Sequence, residues 1–290
     1  MTIRFSKRNF HGSFVVLLLA SLVFGVSSAN AAGEAPKIPH QEWTFSGLTG
    51  YFDNEQLRRG YLVYKNVCSA CHGMRLLYYR NLTEPGGPEF SEERVKEFAA
   101  EAQVTDGPND EGEMFTRPGR LSDRFVSPYP NKKAAAAAQG GAYPPDLSVI
   151  AKARAIESSE AWYLDPIRWI GDILTGYQEQ GADYSYALLT GYHEAPEGVE
   201  LNPGMYYNSA YPGHQIAMPS PLVEGIVDYP DGTAPTVENY SRDVTAFLAW
   251  AAEPKLEERK RMGLKVLIYL SILALLLYMS KRALWRNVEH

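Results

Sequence analysis

The sequence predicts a mainly α-helical protein: one helical domain with long loop insertions, followed by a single C-terminal transmembrane helix. Three observations carry that expectation. Apolar residues recur at helical spacing at Leu57, Tyr61, Tyr64 and Val67, and again at Val244, Phe247, Leu248 and Ala251. Between those stripes the chain is punctuated by Pro- and Gly-bearing turns. Gly263 to Met279 is almost wholly apolar and is flanked by basic residues on both sides.

The chain opens on Arg4, Lys7 and Arg8 with no acidic residue, then an apolar run from Phe14 to Val26, then Ala29-Asn30-Ala31. A basic start, an apolar stretch too short to span and an Ala-x-Ala site predict a cleaved signal peptide over residues 1–31; an uncleaved anchor is the alternative. Of the 28 Lys and Arg residues three lie in that leader, so 25 remain against 34 acidic ones, a net charge of −9. Such acidity argues against nucleic acid as a partner and suits a basic protein. The remaining chain divides into a domain over 32–254 and a membrane anchor over 255–290.

Ala32 to Leu48 lacks periodicity and is expected to run over the surface. Asp53 reads as the N-cap of the first helix, whose apolar stripe leads straight into Cys68-Ser69-Ala70-Cys71-His72. C-x-x-C followed at once by His is the attachment signature of a c-type haem. Two thiols three positions apart on one turn can each add to a vinyl group of the same porphyrin. The His that follows then lies where its imidazole can ligate the iron. Cys68 and Cys71 are the only two cysteines in the chain. A structural zinc site takes about four Cys or His ligands, and the other histidines form no second pair of the usual spacing. A C-x-x-C redox pair would give His72 no role. Haem attachment outside the bacterial cytoplasm agrees with the leader and leaves no thiol for a disulfide. An N-terminal helix that delivers C-x-x-C-H is the organisation of a class I c-type cytochrome, so the domain is expected to be class I cytochrome c-like with one covalent haem c.

Ser91 with Glu92 and Glu93 marks a capped, acid-first helix running towards Gln103. Asp106, Asp110, Glu111 and Glu113 crowd the stretch from Thr105 to Glu113, as a solvated loop or as a docking patch for a basic partner. Asn131 is the expected cap of a short helix through Ala134–Ala138, ended by Gly140-Gly141. Pro144-Pro145 enforces extended backbone, a rigid apolar wall that suits a porphyrin edge and makes Pro145 a candidate cofactor contact. Asp146 or Ser148 is the expected cap of a helix holding Ile150, Ala153 and Arg154. Asp165-Pro166 starts a further helix inside an insertion over 155–183. Its Leu174-Thr175-Gly176-Tyr177 is echoed by Leu189-Thr190-Gly191-Tyr192.

The sixth iron ligand of an electron-transfer cytochrome is commonly Met, whose soft thioether favours ferrous iron. Met114, Met205, Met218, Met262 and Met279 are available, whereas Met74 is too near His72 to reach the opposite face. Met262 and Met279 belong to the tail. Met218, held between Ala217 and Pro219-Ser220-Pro221, is the favoured candidate, with His193 and His214 as rivals. Ser241 is the expected cap of the C-terminal helix, which Pro254 stops.

Gly263 to Met279 reaches about 25 Å at ~1.5 Å per residue, just short of a ~30 Å hydrocarbon layer, so Met262 and a snorkelling Lys265 extend the span to about 262–279. A buried soluble helix is the alternative, and the lack of a polar face speaks against it. Lys255, Arg259, Lys260, Arg261 and Lys265 precede the span, and Lys281, Arg282 and Arg286 follow it. Counting positive charges alone would put the haem domain in the cytoplasm. The leader and the haem place it in the periplasm with a cytoplasmic C-terminus, and they outweigh the count.

From about Phe45 to Trp285 the chain resembles the cytochrome c1 family, the haem subunits of quinol–cytochrome c oxidoreductase. The resemblance is carried by Leu57-Arg58-Arg59-Gly60, Gly112-Glu113-Met114-Phe115, Arg117-Pro118-Gly119, Pro144-Pro145-Asp146-Leu147-Ser148, Ala217-Met218-Pro219 and Lys260-Arg261-Met262-Gly263, in that order around the haem motif. It implies that Met218 is the sixth ligand opposite His72, that Arg154 pairs with a haem propionate, and that Tyr184 contacts the haem. Two departures stand out. Ser220 replaces a proline common in the ligand loop, and residues 155–183 exceed the compact members in length.

The resemblance also implies a one-electron carrier. It would sit with cytochrome b and a Rieske iron–sulfur protein in a dimeric complex of the bacterial inner membrane, as a single-pass subunit. Electrons would pass from the Rieske protein to a soluble or anchored basic cytochrome c, with no small-molecule substrate. A membrane-anchored haem enzyme or ligand sensor, which keeps an open iron position, is the alternative, and Met218 discriminates the two. A purely structural anchor would require the haem to be dispensable.

Overall fold

The computed structural model describes residues 36, 38–154, 166, 167, 170, 171 and 180–286. The expected leader lies outside them, as does the first copy of the Leu-Thr-Gly-Tyr echo. Of the helix expected from Asp165-Pro166, only 166, 167, 170 and 171 are described, and those are helical.

The described chain is mainly helical. Helix α1 (Asn54–Asn66) begins where expected, with the Asp53 carboxylate accepting from the amides of Glu55 and Gln56 at 2.9 and 3.2 Å. Its buried face is Leu57, Tyr61, Val63 and Tyr64, and it packs against α6 (Val237–Ala252), whose Val244, Phe247, Leu248, Trp250 and Ala251 are buried. Gly60 makes that approach close. A Cβ there would fall 2.1 Å from the Asp243 carbonyl oxygen and 2.7 Å from Phe247 Cβ. Beside this contact Arg59 forks onto Asp243 and reaches Asp231, with Nε and Nη1 each 2.8 Å from a carboxylate oxygen. Tyr61 fills the interior between helices, its ring 5.0–6.2 Å from those of Phe90, Phe98, Phe125 and Phe247.

Several boundaries differ from expectation for identifiable reasons. Helix α2 (Glu92–Ala100) keeps its Ser91 cap but stops short of Gln103, because Gln103–Asp106 pairs as β1 with β2 (Phe115–Pro118) in an antiparallel hairpin. The acidic stretch is therefore the tip of a hairpin. Two four-residue strands are too short to print an alternation on the sequence. Helix α3 (Lys132–Ala138) is capped by Asn131 as expected and ends before Gly140, whose φ of +62° suits glycine. The single turn α4 (Ile150–Ala153) is preceded by Val149, with no side-chain cap, and Arg154 closes the turn instead of lying inside it. Asp146 and Ser148 fail to cap it because both side chains are engaged elsewhere, as described below. Helix α5 (Gln180–Thr190) starts inside the expected insertion. The short strands β3 (Tyr206–Tyr207) and β4 (Gln215–Ile216) follow, paired antiparallel. Thr236, not Ser241, caps α6; Ser241 is fully buried within the helix.

The segment expected on the surface before Leu48 instead sends Trp43 and Phe45 into the core. Burying Trp is tolerable because its Nε1–H donates to the buried Asp183 carboxylate at 2.7 Å. Helix α7 (Leu256–Trp285) runs unbroken for 30 residues. Its most apolar 18 residues have a mean hydropathy of 2.1 and none of that window is buried, so it is long and apolar enough to cross a membrane and is not a buried core helix. Its root is stapled to the domain: Leu256 is buried, Glu257 accepts from the Phe52 amide at 2.9 Å, and Lys260 donates to the Phe45 carbonyl. Arg259 and Lys152 both pair with Glu253; burial pushes that carboxyl up, but the two cations outweigh it and hold it below its ordinary value.

Candidate haem site

Helix α1 ends at Asn66, and the chain turns through a 3₁₀ segment at Cys68–Ala70. The amides of Cys71 and His72 both donate to the Cys68 carbonyl, at 3.1 and 2.8 Å, so the two thiols and the imidazole share one tight turn. Both cysteines are half-buried and unpaired. Burial pushes the Cys68 thiol up to about 12.

His72 Nδ1 lies 2.7 Å from the Pro145 carbonyl oxygen. A carbonyl only accepts, so Nδ1 carries the proton and Nε2 keeps its lone pair for a metal. Burial, opposed by the Pro145 bond and the nearby Asp146, lowers the imidazole below its ordinary value and keeps it neutral. Tyr64, two residues before the end of α1, donates its hydroxyl to the His72 carbonyl at 3.3 Å. The proline loop is itself pinned to the residues after the motif. Leu147 N donates to the Gly73 carbonyl at 2.8 Å, Arg75 N to the Asp146 carboxylate at 3.0 Å, and Leu76 N to Ser148 Oγ at 3.0 Å. Pro145 thus acts through its carbonyl on His72. The two prolines matter because their fixed φ aims that carbonyl without a competing N–H.

Met218 is half-buried and follows β4 by two residues. Its carbonyl accepts from the Tyr192 hydroxyl at 3.0 Å. Burial, reinforced by Tyr184, holds the Tyr192 phenol above its ordinary value, so it remains a donor. The rivals are placed differently. His214 stacks on Tyr207 at 5.6 Å with Nδ1 3.2 Å from the Asn208 carbonyl oxygen, and His193 is exposed. Met74 is in the core, Met114 and Met205 are exposed, and Met262 and Met279 lie on α7. Tyr184 is buried on α5, and Arg154 is exposed at the end of α4.

The donor set fits a covalent haem c: two unpaired thiols on one turn, an imidazole with only Nε2 unspent, and a half-buried thioether in a second loop. Among the described residues no group of three or more His, Cys, Asp and Glu is placed to hold a metal ion. Sequence reasoning missed Tyr64, Tyr192 and Asn208. Tyr192 had a signal in the Leu-Thr-Gly-Tyr echo, but Asn208 had none.

Residues 43–288 match the family model described as the cytochrome C1 family. Among curated proteins, the chain is 42% identical to "Cytochrome c1" of Rhodospirillum rubrum, covering 94% of this chain and 97% of that protein. It is 45% identical to "Cytochrome c1-2, heme protein, mitochondrial" of Solanum tuberosum, covering 90% of each. It is 48% identical to "Cytochrome b/c1" of Bradyrhizobium diazoefficiens over 94% of this chain, and the match spans only 39% of that protein's length.

Proposed function

Because this chain belongs to the cytochrome c1 family, we propose that it is the haem-carrying electron-transfer subunit of a cytochrome bc1 complex, held to its membrane by α7. The observation that carries this reading is the His72 clamp, Nδ1 to the Pro145 carbonyl at 2.7 Å immediately after two unpaired thiols. When bound, the haem c supplies reversible one-electron chemistry at its iron. Cys68 and Cys71 would hold it by thioethers, and His72 Nε2 and the Met218 thioether would be the protein's ligands to its iron. Arg154, exposed and at the end of a turn, is free to reach a propionate, and Tyr184 and the Pro145 loop close the pocket. The polypeptide contributes ligation, exclusion of water and a fixed path. This reading requires no small-molecule substrate and no proton movement.

Within the complex the chain takes single electrons from a Rieske iron–sulfur protein beside cytochrome b and delivers them to a basic cytochrome c. The haem domain faces the periplasm of a bacterial inner membrane, and residues 1–31 form its cleaved leader. The test is the optical spectrum of purified wild type and Met218→Leu, each with and without carbon monoxide. Wild type is expected to show low-spin haem with a sulfur-to-iron band and no carbon monoxide binding, and the variant to lose the band and bind the gas. Carbon monoxide binding by the wild type would overturn the reading in favour of an open-site enzyme or sensor.

A further inference from the structure

The loop carrying Met218 is tied to a block of structure outside the haem turn. β4 ends at Ile216, its partner β3 is followed at once by Asn208, and Asn208 forms an isolated antiparallel bridge with Tyr192. Asn208 is fully buried and uses both ends of its amide. Nδ2 donates to the Leu188 carbonyl at 2.8 Å, and Oδ1 accepts from the amides of Ala210 and Tyr211 at 3.0 and 3.1 Å. Gly191 allows this closeness, since a Cβ there would fall 2.7 Å from the Ala187 carbonyl oxygen and 2.9 Å from Asn208 Oδ1. The Ser209 amide returns to the Gly191 carbonyl at 2.8 Å. The end of α5, Tyr192 and β3–β4 therefore form one hydrogen-bonded unit. From it a single phenol reaches Met218, at 3.0 Å from the carbonyl oxygen. Pro219 and Pro221 remove two backbone donors from the ligand loop, so a side-chain donor serves there instead.

We propose that Tyr192 is a positioning residue for the axial methionine: by tying the Met218 carbonyl to the end of α5, its hydroxyl sets how firmly the thioether stays on the iron. The proposal rests on the haem reading above and deepens it. A thioether carries no charge, so its hold on iron depends on how well the chain pre-places it. Loss of one neutral hydrogen bond should raise the population with Met218 detached by about 3- to 10-fold.

Full-length holoprotein tests it in four forms: wild type, Tyr192→Phe, Met218→Leu and the double variant. Tyr192→Phe is expected to stay low-spin at neutral pH. In an alkaline titration it should lose the sulfur-to-iron band about 0.5–1 pH unit below wild type, the same 3- to 10-fold change. Its midpoint potential should fall, and it should bind carbon monoxide about 3- to 10-fold more readily. In the Met218→Leu background the same substitution is expected to alter neither potential nor carbon monoxide binding. A Tyr192→Phe protein with the wild-type band, potential and gas binding would overturn the proposal while leaving the ligation intact. Equal effects with and without Met218 would assign Tyr192 to general stability and also overturn it. A wild type without the band overturns the ligation reading, and this proposal with it.

Discussion

At His72 the protein spends one imidazole nitrogen on the Pro145 carbonyl, which under the proposed reading leaves the other for iron, and the cost falls on a neighbouring loop. The Pro145 carbonyl is held in place in part because Asp146 and Ser148 accept from Arg75, Leu76 and the Ser148 amide, at 3.0 Å each. Asp146→Ala would strip two of those acceptors at once. Hydrogen bonds to a charged group are worth roughly 1.5–3 kcal/mol, and water can replace part of that here. The holoprotein is expected to lose about 2 kcal/mol in urea unfolding, with His72 less firmly oriented and the haem absorption broadened. An unchanged unfolding midpoint would show that the proline loop holds the carbonyl unaided. The acidic run divides in the same way. Asp106 is held below the usual carboxylate range by its bond from Arg117, which also grips Asp123, so these carboxylates are structural. Asp110, Glu111 and Glu113 are exposed and carry whatever recognition that stretch provides.

Among elements, the α1–α6 contact decides whether the haem turn has a platform. Only glycine at position 60 admits the Asp243 carbonyl at the observed approach. In Gly60→Ala the helices must separate, and the strain spreads to Tyr61, Phe247 and the Arg59–Asp243 pair. Overpacking of this kind costs roughly 1–3 kcal/mol and sometimes more. The expected result is a lower unfolding midpoint and less haem-loaded protein per cell, measured by the pyridine haemochrome. Wild-type stability would mean that the helices slide apart at no cost. The root of α7 matters at the same scale, because Glu257 and Lys260 staple it to Phe52 and Phe45 and leave no flexible linker between domain and span.

For the molecule as a whole the governing quantity is charge. Without residues 1–31 the net charge is −9, and the basic residues that flank the apolar span concentrate positive charge at its two ends. Under the proposed reading, exchange with a basic cytochrome c is steered by that field and should slow as ionic strength rises from about 0.01 to 0.15 M, where the screening length shrinks from ~30 to ~8 Å. Stopped-flow rates would register the decline, and the variant Asp110→Asn/Glu111→Gln/Glu113→Gln should flatten it. Rates indifferent to salt would remove the steering and, with it, the hairpin tip as a docking patch.

The haem turn, its leading helix, the Asn131 and Ser91 caps, the C-terminal stripe and the membrane helix were all legible in the chain, because each is written in neighbouring residues. Spacing of two thiols, a capping oxygen before an amide and an apolar run need no partner distant in sequence. What tertiary structure alone decided involves long separations. His72 meets Pro145 and Trp43 meets Asp183, while Tyr192 meets Met218 across 26 residues. The engagement of Asp146 by the Arg75 amide and the burial of Trp43 on Asp183 share that cause: a polar or aromatic side chain with several local uses is committed by whichever distant group arrives to satisfy it, whereas Ser241 is buried by packing, its hydroxyl without a hydrogen-bond partner among the described residues. Local chemistry marked the Cys68-x-x-Cys71-His72 turn and left Met218 a candidate, and the folded chain determined what holds each of them in place.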